Sequence, residues 1–524
     1  MPFMFSGLRL GASANEVAHG QKKRRAYNRQ SGAPRRYSQN GHVGLDLHPM
    51  ILRPFFFIGA AMLTACSSGP GYRPKSAADL GVPESWSVDA APGQPQLTQW
   101  WNNFQDPALT RLIEDAAAAN LDVAQAVARL RQAREALVIS RSDLFPSIGA
   151  SAGYSRSETL KGARIRTGDA DSFSAGLDAS YQVDLFGGTR SAIRASRADY
   201  EAARFDYATV LLSVESEVAR NYVLARAYQA LLDNARANLA IQQDNLEIAG
   251  FRVQAGLVSS IDQEQARASA AQTAAAIPGI EEQYNAALSR LGVLTGQAPG
   301  AVKPLLSDPR PIPQGPQEIA TGIPADILRQ RPDVRAAERT LAAATADIGV
   351  ARAQLFPALS IGGSIDSNAG ALKSLFDTVT GNIFATLGQA IFDAGRRGAQ
   401  VRASKAAAEG ALAAYKLTVL QALEDVENAV MALDAAGERE RQFAIAHDAA
   451  LASAQLARSQ YRSGLTDFTT LNTQEAALIS ARNGLVQARS DKATALIGLY
   501  VSLGGGWGEG APHTAPVKQQ PDGK

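Results

Sequence analysis

The sequence predicts a mainly α fold with a transmembrane β-barrel, built from a duplicated unit of long helices and strand pairs. Three observations lead there. Two stretches, about 188–255 and 396–463, run without proline. Four short segments alternate apolar and polar residues. These features recur at an offset of about 210 residues, as duplicated architectures do: Leu144-Phe145-Pro146 returns as Leu355-Phe356-Pro357, Tyr207 as Tyr415, and Gly256-Leu257 as Gly464-Leu465.

The chain opens on basic residues, including Lys22-Lys23-Arg24-Arg25 and Arg35-Arg36. Residues 1–49 show no helical or strand period. They read as a leader upstream of the true first residue, Met50, with a basic nucleic-acid-binding arm as the alternative. After Met50 come Arg53 and an apolar run ending in Leu63-Thr64-Ala65-Cys66. A positive charge, a short apolar core and small residues before the cut make residues 50–65 a signal peptide. The run is too short for a spanning helix, which needs about 20 apolar residues. The four residues match a lipobox, so Cys66, the single cysteine, is expected to carry an N-acyl diacylglycerol, with a buried free thiol as the alternative. Serine after it points to export onward to the outer membrane.

Removing the leader changes the charge. Residues 1–65 hold 9 of the 52 Lys and Arg and 2 of the 50 Asp and Glu, leaving 43 against 48 and a net charge of −5. No positive field remains to argue for nucleic acid. Of five histidines, only His447 and His513 follow Cys66. A His/Cys metal site within one chain is therefore excluded, and no nucleophile elbow, phosphate loop or dinucleotide fingerprint is present. The composition speaks against an enzyme, and no cofactor beyond the lipid is expected.

The long helices come next. About 68 residues at 1.5 Å each reach about 100 Å. In the first, Tyr200, Tyr207, Val214, Tyr228 and Ala235 recur at sevens. Leu211, Val218, Ala225, Leu232 and Leu239 fill the alternate positions, interrupted by Arg204 and Asn221. That is a coiled-coil period. Both stretches are too charged to cross lipid. Each ends at a glycine, Gly256 or Gly464, suited to a left-handed helix cap, followed by residues able to cap the next helix. Each half therefore ends in an antiparallel helical hairpin. A connector at 298–324, with seven prolines from Pro299 to Pro324, must be irregular.

The strands are expected at about 147–157, 172–186, 358–367 and 382–392. The second is the clearest: Phe173, Ala175, Leu177, Ala179, Tyr181, Val183 and Leu185 alternate with polar residues that include Asp178, Gln182 and Asp184. Ile391 closes the fourth, where Gln389 breaks the pattern. One such strand alone suits a half-buried soluble hairpin; four of them in a chain with a lipobox favour membrane strands, with Asp178, Gln182 and Asp184 on the lumen side. A sheet in lipid must close on itself, and barrels start at about eight strands. Four strands per chain imply shared closure, and three copies give a twelve-stranded barrel.

Trp100-Trp101-Asn-Asn-Phe104-Gln-Asp106-Pro107, Arg331-Pro332-Asp333-Val334 and Leu503-Gly504-Gly505-Gly506-Trp507 resemble motifs of NodT-type outer-membrane efflux lipoproteins, relatives of TolC-like channels. The likeness covers nearly all of the chain after Cys66. It implies a homotrimer whose twelve-stranded barrel continues into a twelve-helix periplasmic barrel, with an equatorial belt holding 66–105, the connector and the tail 504–524. The repeats are then 106–297 and 325–503. It also implies passive export of small molecules, a periplasmic adaptor protein and an inner-membrane pump of the resistance-nodulation-division type. Adaptor docking falls to Gly256, Leu257, Gly464 and Leu465, and the closed aperture to Asp467, Asn472 and Asp262. Asp467 and Asp262, exposed after a turn, read first as helix caps and only second as gate acids, and the family's Leu-Asp pair is here Leu471-Asn472. Arg331-Pro332-Asp333 reads as a structural helix start. Two other functions fit the same features: a type I protein-secretion channel, against which the lipobox weighs, and a structural periplasmic lipoprotein.

Overall fold

The computed structural model describes residues 69–88, 93, 97–158, 170–316, 319–505 and 507. Cys66, the leader and the signal peptide lie outside the described residues. The first half runs α1 (Pro107–Ala119), α2 (Leu121–Ser142), β1 (Ser147–Ser157), β2 (Ala170–Val183), α3 (Gly188–Gln254) and α4 (Ser260–Leu294). The second runs α5 (Pro332–Ala353), β3 (Ala358–Ala369), β4 (Thr380–Gly388), α6 (Arg396–Arg462) and α7 (Phe468–Ser502). The duplication extends to element length. Helices α3 and α6 are each 67 residues long, and their partners α4 and α7 are each 35.

Local chemistry explains where these elements begin. Asp106 caps α1, accepting from the Ala108 amide at 2.9 Å, and Pro107 occupies the first helical turn, where a missing N–H costs nothing. Asn120 does the same for α2, through the Asp122 amide at 2.8 Å. Both long helices are entered through glycines with φ of 76° and 83°, Gly187 and Gly395. Among the described residues no helix is long and apolar enough to cross a membrane.

The four strands form one antiparallel sheet in the order β1-β2-β3-β4, so β1 and β4 each have one free edge within the chain. The second and fourth strands stop short of expectation. Leu185 lies beyond β2, and Ile391 beyond β4. Gln389 breaks the alternation because the strand has already ended at Gly388; its side chain donates to the Leu355 carbonyl at 2.9 Å.

The main core lies at the middle of the helices. Trp100 is fully buried and stacks on Tyr500 at 5.5 Å. Leu109, Leu112 and Ile113 of α1 pack there with Val218 and Tyr222 of α3, Val419 and Val426 of α6, and Leu496 and Ile497 of α7. The amino-terminal segment, the connector and the carboxy-terminal end of the second hairpin thus close around one point on the long helices.

Candidate functional site

Register gathers the apolar residues of all four strands onto one face. Tyr154 pairs with Phe173, and Ala150 with Leu177. Leu177 pairs with Ile365, and Tyr181 with Ile361. Leu359 pairs with Leu387, and Gly363 with Ile383. Ile148, Leu177, Ile365, Ile383 and Leu387 on that face are exposed, from 52% for Leu177 to 89% for Ile383. A single register slip would scatter them. At roughly 3.3 Å per residue and a tilt of about 40°, the ten steps from Leu359 to Ala369 rise roughly 25 Å, the height of an outer-membrane apolar band.

The opposite face is small and polar except for Phe384, whose ring lies over Gly362. Asp178 lies over Gly149, where a Cβ would come within 2.9 Å of its carboxylate, and Asp366 lies over Gly176, where a Cβ would come within 2.5 Å. Asp178 and Gln182 share this face, as expected. Asp184 does not belong to it: it follows the last strand residue, Val183, and its Oδ2 accepts from the Arg190 amide at 3.1 Å, capping α3. Asp393 repeats this at the start of α6, accepting from the Gly395 amide at 2.9 Å and the Arg397 amide at 3.1 Å. These backbone donors hold its carboxyl below the usual carboxylate range. Gln182, Asp184, Asp347, Asp393, Arg396 and Arg397 line a cavity of about 1390 Å³ where sheet meets helices.

At the equator, the three motifs that carry the resemblance turn out to be joints. Tyr222 donates to Asp106 Oδ2 at 2.6 Å. The fully buried Arg226 donates to the Tyr222 hydroxyl at 3.1 Å and to the Asp308 carbonyl of the connector at 2.8 Å. Arg331 ties three helices: its guanidinium pairs with Asp333 at 2.7 Å and with Asp425 of α6 at 3.0 Å, and donates to the Ser502 carbonyl of α7 at 3.1 Å. Trp507 donates to the Gln330 carbonyl at 2.7 Å. Gly504, with φ of 82°, passes so close to that carbonyl that a Cβ would sit 2.6 Å from it. The Arg-Pro-Asp and Gly-Gly-Gly-Trp motifs are two sides of one contact.

The far ends of the hairpins carry the remaining sites. Gly256 and Gly464 have φ of 67° and 72°. The amides of Leu257 and Leu465 return to the carbonyls of Arg252 and Gln460, both at 2.8 Å. This double-bonded cap leaves Leu257 and Leu465 projecting, 69% and 79% exposed. Asp467 caps α7 through the Thr470 amide at 2.7 Å, and that amide draws its carboxyl below the ordinary range. Asn472 accepts from Ser269 at 3.1 Å, joining α7 to α4. Asp262 lies in the first turn of α4, near enough that its charge adds to the burial that raises the Tyr461 phenol.

The sequence reading missed the contacts that bind one hairpin to the other. Arg252 of α3 lies over the Tyr461 ring of α6 at 4.7 Å and donates to the Tyr461 carbonyl at 3.1 Å. Arg462 of α6 reaches Asp244 of α3 at 3.1 Å. Within the second hairpin, Arg458 pairs with the buried Glu475, with one hydrogen bond at 2.6 Å. An ionisable residue beside each glycine turn was the available signal.

A family model described as outer membrane efflux protein matches residues 112–297 and 323–505. The pyoverdine export outer membrane protein OpmQ of Pseudomonas aeruginosa is 33% identical over 468 residues, covering 87% of this chain and 98% of its own. Nodulation protein T of Rhizobium leguminosarum bv. trifolii is 29% identical, covering 87% and 97%. The solved outer-membrane channel OprN superposes with a TM-score of 0.76 at 33% identity, over 84% of this chain and all of its own.

Proposed function

The chain belongs to the outer membrane efflux protein family, and from that premise we propose that it is the homotrimeric outer duct of a tripartite pump. It is an outer-membrane efflux channel and not an enzyme. In the proposed assembly, a periplasmic adaptor docks at the Gly256-Leu257 and Gly464-Leu465 tips, and an inner-membrane pump of the resistance-nodulation-division type drives small molecules through. An acyl anchor at Cys66 holds each copy to the outer membrane. Asp467, Asn472 and Asp262 sit at the end that closes. OpmQ is by its name a pyoverdine exporter; here the cargo class is small molecules, whether drugs, toxic compounds or metals.

One observation carries the reading. Four register-matched strands present a continuous apolar face, while β1 and β4 each leave one edge unpaired. Lipid tolerates the face and forbids the edges. Edge pairing between three copies satisfies both. Expression from Met50, membrane separation on a density gradient and sizing in detergent test this, with Cys66→Ala alongside. A trimer in the outer-membrane fraction is expected for both chains, because the barrel holds without the lipid. A water-soluble monomer from Cys66→Ala would sink the barrel and the duct together.

A further inference from the structure

We propose that the turn joining β3 to β4 lies on the lipid side of the barrel and buries its apolar side chains in the outer leaflet of the membrane. The inference rests on the barrel reading above and adds a contact surface to it. Its starting point is Ser367. By register this serine pairs with Ala175 and faces the same side as Ile361 and Ile365, the apolar side. A bare hydroxyl there would be costly.

Ser367 is not bare. It is 3% exposed, whereas Ile365, one step along the same face, is 55% exposed. The cover is the turn itself. The Ser367 hydroxyl lies against the Leu375 carbonyl and hydrogen-bonds the Thr378 carbonyl at 2.8 Å. Residues 375–378 therefore fold back over the outer face. A turn dipping into the lumen would cover the opposite face, that of Asp366 and Asn382.

The turn is also dressed for hydrocarbon. Three of its amides bond within it: Ser374 to the Ala371 carbonyl and Asp377 to Ser374, both at 3.1 Å, and Leu375 to Leu372 at 3.3 Å. The Thr380 hydroxyl closes its end on the Asp366 carbonyl at 3.1 Å. Backbone at membrane depth must be satisfied internally. Leu375 points inward at 9% exposure, while Leu372, Phe376 and Val379 point out at 66%, 73% and 55%. Lys373 stands beside them, with a stem long enough to reach headgroup phosphates from an apolar bed. Tyr154 and Phe173, 4.9 Å apart, lie at the same height, since Phe173 pairs with Ala369. Aromatic residues at this level form the girdle of an outer-membrane barrel. The turn continues that girdle outward, and draped this way it leaves the duct mouth clear on its side.

The lipidated chain offers no free thiol once Cys66 is acylated, so single cysteines can be nitroxide-labelled at will. Phe376→Cys, Ile383→Cys and Asn382→Cys, placed in liposomes, are compared by collision with oxygen, which concentrates in lipid, and with a nickel chelate, which stays in water. Position 376 should match 383, with an oxygen-to-nickel ratio several-fold above that at 382. A ratio at 376 like that at 382, or shielding from both reagents, overturns the proposal. Should 383 itself behave like 382, the barrel reading fails as well, so the two failures are distinguishable. Val379→Cys repeats the measurement if the label at 376 disturbs folding.

Discussion

Helices α3 and α6 have the same length and the same place in their repeats, at an offset of 208 residues, yet they are buried very differently. Helix α3 has 23 buried residues and α6 has 8. A shared seam accounts for part of the 8: Tyr415, Val419 and Val426 of α6 stand where α3 has Tyr207, Leu211 and Val218. Outside that seam the helices diverge. Leu212 of α3 is 6% exposed, but its counterpart Leu420 is 53% exposed, with Leu417, Met431, Ile445 and Leu456 exposed along the same helix. Arg226, the hub of the equatorial joint, corresponds to the exposed Asp434. Duplication supplied two equal rods. One became the spine of the chain, and the other keeps an exposed apolar face that the proposed trimer would cover.

The largest test of this contrast is a matched pair of truncations. Leu212→Ala should cost about 2–5 kcal/mol of chain stability, as buried leucines do. Leu420→Ala should cost the single chain under about 0.5 kcal/mol but shift detergent-solubilised protein from trimer toward monomer. Thermal unfolding and sizing read the two effects separately. Equal destabilisation with unchanged assembly would mean that α6 presents no contact face.

A second pair sets Glu215 against Leu423, its counterpart in α6. Glu215 is 3% exposed, its Oε2 has no hydrogen-bond partner, and burial raises its pKa from 4.5 to about 8. The folded chain therefore holds a proton that the unfolded chain releases above its ordinary pKa. Stability from this group is full below about pH 4.5 and falls as pH rises toward about 8. Glu215→Leu, which copies the second repeat, should raise the melting temperature at pH 8, by an amount equivalent to roughly 2–4 kcal/mol. At pH 4 the two chains should melt much closer together. A pH-independent difference would instead mark a packing effect.

Much of the architecture was legible because it is periodic. Alternation at two revealed the strands, and the two long stretches read as helices matched α3 and α6 to within a residue or two. Glycines marked both tips. What escaped depends on pairing between distant segments. Asp184 continued the alternation by chance, and only the helix that follows it discloses a cap. Nothing in the heptads singled out Tyr222 or Arg226, whose partners lie 116 and 82 residues away. The motifs behind the resemblance were readable as words, but their meaning as joints required seeing Arg331, Gly504 and Trp507 meet.

The smallest expected effect lies at the tip, where the same asymmetry recurs. Arg252, from the buried rod, is half-buried over the Tyr461 ring. Arg462, from the exposed rod, makes its pair with Asp244 at the surface, the two side chains 64% and 53% exposed. Both hold one hairpin of the chain to the other. Arg252→Ala removes a cation–aromatic contact and a hydrogen bond, about 1–2 kcal/mol together. Arg462→Ala removes an exposed ion pair, typically below about 1 kcal/mol. If these contacts hold the end closed, planar-bilayer conductance should rise more for Arg252→Ala than for Arg462→Ala. The Arg462 effect alone should fade in high salt, because screening acts on exposed charges. Equal gains with equal salt dependence would show that burial does not separate the two arms. No gain in either would place the closing contacts between copies, on the face that α6 leaves open.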